Sequence, residues 1–173
     1  EGVDIPNPNH FGSEGGTGGP ISILNSTTLA NSDFFTGAFP AEYGNAFSGV
    51  FDIRMRNGNN QKNEYTLQMG VMGVEAAAEG PFKKGKNSSY LINYRYSTLA
   101  MLETMGVKIV GDATPKFQDL TFKVHLPTKN AGVFSMFGIG GMSNIHIEDK
   151  TTEEVVYSKM DSKVNLGAMG ISN

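Results

Sequence analysis

Few residues in this sequence are spaced for bond-making chemistry. His10, His125 and His146 stand far apart, and none has a second His or a Cys at metal-ligand spacing. Cysteine is absent, so neither a thiolate metal site nor a disulfide framework is available. No Ser/His/Asp or Cys/His arrangement and no carboxylate pair tied to a pocket is discernible, so neither catalysis nor a cofactor or metal is expected. The glycine-rich run GSEGGTGGP (12 to 20) invites an anion-cradle reading, but it lacks the Lys-Ser/Thr of a phosphate loop and the spacing of a dinucleotide fingerprint. It reads as a loop. Glu148, Asp149, Glu153 and Glu154 offer oxygen ligands of the kind calcium takes, although such a run is more often a solvated acidic loop. What stands out is GAFPAEYGNAFSGVFDIRMRNGN (37 to 59), where Asp52, Arg54 and Arg56 alternate with Phe51, Ile53 and Met55. Residues two apart share a face of a strand, so this segment predicts one apolar and one charged face. It follows a loop containing Pro40, Gly44 and Gly49.

The elements that must position those charges follow from composition. At 173 residues the chain suffices for one domain or pieces of two, and its first and last residues read as parts of a larger chain. A net charge of -3, without any Lys/Arg cluster interleaved with aromatics, argues against nucleic acid as a partner. The 22 glycines, with many Ser, Thr and Asn, favour turns and strands. No apolar run approaches the length of a membrane-spanning helix. A barrel strand, however, needs only about 9 to 11 residues of alternating pattern.

The composition shifts near residue 60, and the polar run NGNNQKN (57 to 63) marks the boundary. Beyond it, six alternating segments are predicted, over 64 to 72, 74 to 82, 89 to 97, 116 to 126, 133 to 148 and 156 to 170. Parity reverses around Gly73, which predicts a tight hairpin there, and KKGKNS (83 to 88) and PTKNAG (127 to 132) supply further turns. Tyr90, Ile92, Tyr94 and Tyr96 share one face, suggesting an aromatic girdle, while Leu120, Phe122, Val124 and Leu126 oppose Asp119, Thr121, Lys123 and His125. The segment 133 to 148 is apolar on both faces at first and cannot be oriented. The fold class is therefore all-β and mainly antiparallel, and alternation leaves both a soluble sandwich and a transmembrane barrel open.

The stretch 37 to 59, with DIPNPNHFGSEGGTGGPISILNSTTLANSDFFTGAF upstream and SSYLINYRYSTL, PKFQDLTFKVHLPTK and VFSMFGIGG downstream, resembles TonB-dependent outer-membrane receptors of the Bacteroidetes type. The resemblance implies that residues 1 to 58 are the C-terminal part of a plug domain. Residues 59 to 173 would then be about six strands, the first of a transmembrane β-barrel in the outer membrane of a Gram-negative bacterium. It further implies energised import of a small-molecule, glycan or peptide nutrient. Partners would be TonB, acting through a family segment N-terminal to the matched part, outer-membrane lipid and lipopolysaccharide, and a SusD-like surface lipoprotein. Asn7, Asn9, His10 and Phe11 become candidate substrate contacts, with plain turn residues as the alternative. Asp52, Arg54 and Arg56 become the plug side of a plug–barrel interface whose wall side is Glu75, Glu79, Arg95, Asp119, Lys123, Lys159, Asp161 and Lys163. The turns near Gly73 and at 103 to 115 and 148 to 154 would be extracellular. A passive porin and a secreted β-sandwich that binds carbohydrate or mediates adhesion are the rival readings.

Overall fold

The computed structural model describes all residues except 1, 13–15, 17, 38, 45–48, 72, 107–112 and 151–156, together with the side chains of 113–114, 146–150 and 157–160. Its main element is one antiparallel meander of six strands: β5 (Glu64–Met69), β6 (Val74–Pro81), β7 (Ser89–Tyr96), β8 (Ala113–Pro127), β9 (Val133–Lys150) and β10 (Tyr157–Ser172), each paired with its neighbours in sequence. The protein is all-β and mainly antiparallel. The expected turns fall where the parity placed them. Met69 pairs with Val74, closed by a hydrogen bond from the Gly70 N–H to the Gly73 carbonyl (2.9 Å). Pro81 pairs with Ser89, and Pro127 with Val133. Gly132, at φ 84°, supplies the left-handed residue that the last of these turns requires.

A helix that the alternation did not predict, α1 (Thr98–Thr104), follows β7. Ser97 caps it by accepting from the Ala100 N–H, and Thr98 Oγ1 donates to the Gly70 carbonyl at 2.7 Å, tying the helix to the β5–β6 turn.

The N-terminal segment lies on one face of the sheet as irregular chain with two small hairpins. β1 (Asn9–His10) pairs with β2 (Ile21–Ser22), and β3 (Asp33–Phe35) pairs with β4 (Val50–Asp52). The continuous strand expected over 50 to 56 is not formed. It stops at Asp52, and only Met55 resumes pairing, through a single bridge to Leu29. Consequently Phe51 is exposed and stacks on Phe34 at 4.3 Å, while Met55 turns inward and is buried.

Register fixes the two faces of the sheet. One row runs Glu75, Arg95, Asp119, Gly141, Leu166, and the rows alternating with it face the N-terminal segment too. β9, which the sequence left unoriented, turns Phe137 and Ile139 to that side and Met136, Gly138, Gly140 and Met142 to the other. The core is thin: Ile21, Ile23 and Met55 of the segment are buried along with Leu91, Phe117, Phe137 and Ile139 of the sheet.

Candidate functional site

The site is a polar seam between the N-terminal segment and the inner face of the sheet. At its upper end Asp119, 2% exposed, holds three donors on one oxygen: His10 Nε2 at 3.0 Å, Arg95 Nε at 3.0 Å and Arg95 Nη2 at 2.7 Å. A carboxylate only accepts, so His10 presents a protonated Nε2 to it. Arg95 Nη2 also donates to the Ser22 carbonyl, and its guanidinium lies 5.4 Å from the Phe117 ring centre. Asp119 Oδ1 has no partner among the described residues, so this cluster is charge-paired yet not fully satisfied. Close approach is built in at Gly141, where a Cβ would come within 2.8 Å of His10 Cε1 and 2.9 Å of Ile23 Cδ1. Phe11 turns the chain with φ 57°, a conformation a bulky residue rarely takes, and its N–H reaches Ser143 Oγ at 3.3 Å.

In the middle, amides and hydroxyls replace ion pairs. Asn93 Nδ2 donates to Glu75 Oε1 (2.6 Å), Asn25 Nδ2 donates to Asn93 Oδ1 (3.2 Å), and Thr27 Oγ1 lies 3.1 Å from Glu75 Oε1. Asn25 is held at this point by its own Oδ1, which caps the short 3-10 helix Ser26–Thr28 by accepting from the Thr27 N–H. Thr121, buried in the same row as Asn93, leaves Oγ1 unpartnered among the described residues.

At the lower end Arg56 forms a bidentate pair with Glu79, both contacts 2.7 Å, and the Asn59 N–H adds a third bond to that carboxylate at 2.8 Å. Arg56 Nε donates to the Thr27 carbonyl at 2.6 Å. The hydrogen bonds to Glu79 raise the guanidinium's pKa above its ordinary value, so it stays charged throughout any physiological range. Lys123 Nζ donates to the Met55 carbonyl at 2.7 Å.

The expected site residues therefore separate. Glu75, Glu79, Arg95, Asp119, Lys123 and Arg56 come together across the seam. Asp52 and Arg54 do not: they pair with each other at 2.9 Å, with the Arg54 side chain 61% exposed, because they lie in and just after the β3–β4 hairpin, which does not join the six-stranded sheet. Asp161 and Lys163 lie on the opposite face, in register with His146 and Asn144, and Lys159 follows the same strand with its side chain outside the described residues. Pairing along β9 forces that parity and turns Val164, Leu166 and Ala168 inward instead. His10, a candidate substrate contact, is 1% exposed and occupied by Asp119. Phe11 packs on Phe117, and Asn7 and Asn9 hold their own loop, with Asn7 Nδ2 donating to the Gly16 and Gly18 carbonyls and Asn9 Nδ2 to Asn7 Oδ1. The acidic run around 148 to 154 falls outside the described side chains. Sequence reasoning missed Asn25, Thr27 and Ser143. Asn93 and Thr121 carried a signal, because they share strand parity with Arg95 and Lys123.

The outer face is the complement. Between the row through Gln118 and the row through Leu126, no outward position carries a charge. Tyr65, Leu67 and Met69 on β5 are each more than 70% exposed, and Ile92, Tyr94, Leu120, Met142 and Met169 are exposed as well. The tyrosines of β7 run up this band along one strand rather than around it at one level, so they do not form the expected girdle. No family model matches the chain, and no curated protein or solved structure proves similar to it.

Proposed function

We propose that the chain is part of a TonB-dependent outer-membrane receptor. Residues 1 to 58 belong to the plug, and residues 59 to 173 are the first strands of the barrel wall, in the outer membrane of a Gram-negative bacterium. The receptor binds a small-molecule, glycan or peptide nutrient on the extracellular face and imports it when TonB, energised across the inner membrane, pulls on the plug. A SusD-like lipoprotein is a candidate lid.

The observation that carries this reading is the inversion of the sheet's two faces. A soluble sheet buries its apolar face and wets its polar one. Here the charged face is buried under a glycine-rich segment, and the uncharged apolar face is exposed over roughly eight residues, about 25 Å of strand at ~3.3 Å per residue. That matches the height of the lipid-facing band of outer-membrane barrels. The seam is also of the right kind for a movable plug, since polar contacts between two surfaces can be exchanged for water without exposing a large apolar core.

The test is the uptake and growth phenotype of a deletion strain across iron, cobalamin, glycan and peptide sources, with and without functional TonB. A defect on one nutrient, reproduced by loss of TonB, is expected. Uptake that ignores TonB would favour a passive barrel, and native full-length protein soluble without detergent would favour a secreted sandwich.

A further inference from the structure

The lower end of the sheet carries charge of one sign. The turn from β6 to β7 holds Lys83, Lys84 and Lys86, and the turn from β8 to β9 holds Lys129, while neither 82–88 nor 127–134 contains an acidic residue. The two turns are neighbours, because β7 pairs with both β6 and β8 and brings Pro81, Ser89 and His125 into one row. The first turn is closed by a hydrogen bond from the Lys86 N–H to the Lys83 carbonyl (3.1 Å), with Gly85 at φ 76° in the left-handed conformation that glycine takes without strain. All four lysines are exposed, and none forms an ion pair among the described residues. Other cations at this end are already engaged, Arg56 by Glu79 and Lys62 by Glu64.

Directly above these turns lies the last apolar row of the outer face. Phe82, Leu126 and Phe134 stand there, all exposed, and Phe82 packs on Tyr90 with ring centres 5.5 Å apart. Lys83 follows Phe82 in sequence, and Lys129 lies three residues beyond Leu126. A lysine stem can lie along such apolar surface while its ammonium stays in the polar layer. The opposite end of the sheet is built differently, with both signs present: Lys116 pairs with Glu103 of α1 at 2.7 Å, and Asp161 and Lys163 lie two residues apart on β10.

We infer that these two turns bind anionic phospholipid headgroups of the leaflet at this end of the barrel, the ammonium groups of Lys83, Lys84, Lys86 and Lys129 meeting phosphodiesters that carry no balancing ammonium. Two observations select the occupant. The uncompensated positive charge calls for an anion, and its continuity with the apolar band puts that anion at the level where hydrocarbon gives way to headgroups. Lipopolysaccharide offers phosphate as well, but this end lies opposite the turns expected to be extracellular, away from the leaflet that holds it. Under the membrane reading above, on which this rests, the turns add a preference for one lipid class.

Full-length protein carrying a fluorophore on Ser88→Cys, as its one reactive thiol, would be reconstituted in phosphatidylcholine bilayers with a minor fraction of brominated phosphatidylglycerol or, separately, brominated phosphatidylcholine. Bromine quenches the fluorophore on contact, so the two probes compare lipid occupancy beside the turns. Phosphatidylglycerol is expected to quench as if its local affinity were about tenfold the higher. That advantage should shrink to within about twofold in the Lys83→Gln, Lys84→Gln, Lys86→Gln, Lys129→Gln variant, whose exposed changes leave the fold intact, and in about 1 M salt, where the Debye length is ~3 Å. Lys62→Gln, which removes a lysine already paired, should preserve it. An advantage that survives in the fourfold variant overturns the inference, as does displacement of phosphatidylglycerol by a lower concentration of lipopolysaccharide. Equal quenching by both lipids in the unsubstituted turns sinks this inference alone, whereas quenching by neither sinks the membrane reading with it.

Discussion

The two faces of the six-stranded sheet are built from alternate residues of the same strands, yet they follow opposite rules. On the inner face Asp119, Thr121 and Asn93 are each no more than 2% exposed and carry or line ion pairs and hydrogen bonds. On the outer face their immediate neighbours Leu120 and Ile92 are over 40% exposed and stand in cross-strand rows without a charged residue. Period-2 alternation is therefore the common code of both, and what differs is the medium each side is matched to. The inner face is complementary to one partner, the N-terminal segment, through particular donors and acceptors. The outer face carries no charge across its middle rows, which under the membrane reading proposed above would suit it to hydrocarbon.

Breaking each face should cost stability for a different reason. The largest effect is expected at Asp119→Ala, which leaves the Arg95 guanidinium and His10 Nε2 facing each other without their anion. Losing one partner of a buried pair costs about 3 to 5 kcal/mol, and urea unfolding of the full-length protein in lipid should register it. Phe122→Arg on the outer face should cost roughly 2 to 4 kcal/mol in a bilayer through transfer of charge into hydrocarbon. The same change should be nearly neutral in a water-soluble sandwich edge, so unfolding measured in lipid separates the two. Arg56→Ala should cost about 1 kcal/mol, since the pair with Glu79 is bidentate but the arginine is about a third exposed, and the loss should shrink as salt rises. Arg54→Ala, whose partner Asp52 belongs to the same exposed hairpin, should leave unfolding unchanged. If Arg54→Ala proved as damaging as Arg56→Ala, the seam as drawn would be misplaced.

The strands were legible because their signal is local. Parity reversal at Gly73 and the turn residues of KKGKNS and PTKNAG fix hairpins within a few residues, and they also placed Glu75, Glu79, Arg95, Asp119 and Lys123 on one face. What the sequence hid is set by distant pairing. The polarity of 50 to 56 looked like a strand, but a strand needs a neighbour, and beyond Asp52 only Leu29 offers one. β10 alternates as expected, yet which parity points inward is dictated by its register with β9, and that sends Asp161 and Lys163 outward above the apolar band. His10 looked like an exposed turn residue because its partner Asp119 lies 109 positions away. α1 was overlooked although Leu99, Ala100, Met101, Leu102 and Glu103 are good helix formers, because seven residues show less than two turns of periodicity.

The most direct test of the two-face account is a nitroxide scan of single cysteines from Gln118 to Leu126 in the full-length protein reconstituted in bilayers. The account predicts period-2 accessibility to oxygen over a water-soluble nickel complex, with maxima at 120, 122 and 124, and mutual protection from both reagents at 119, 121 and 123. Oxygen accessibility that does not alternate, or outward positions shielded from both reagents, would contradict it and place a second protein layer where the lipid should be.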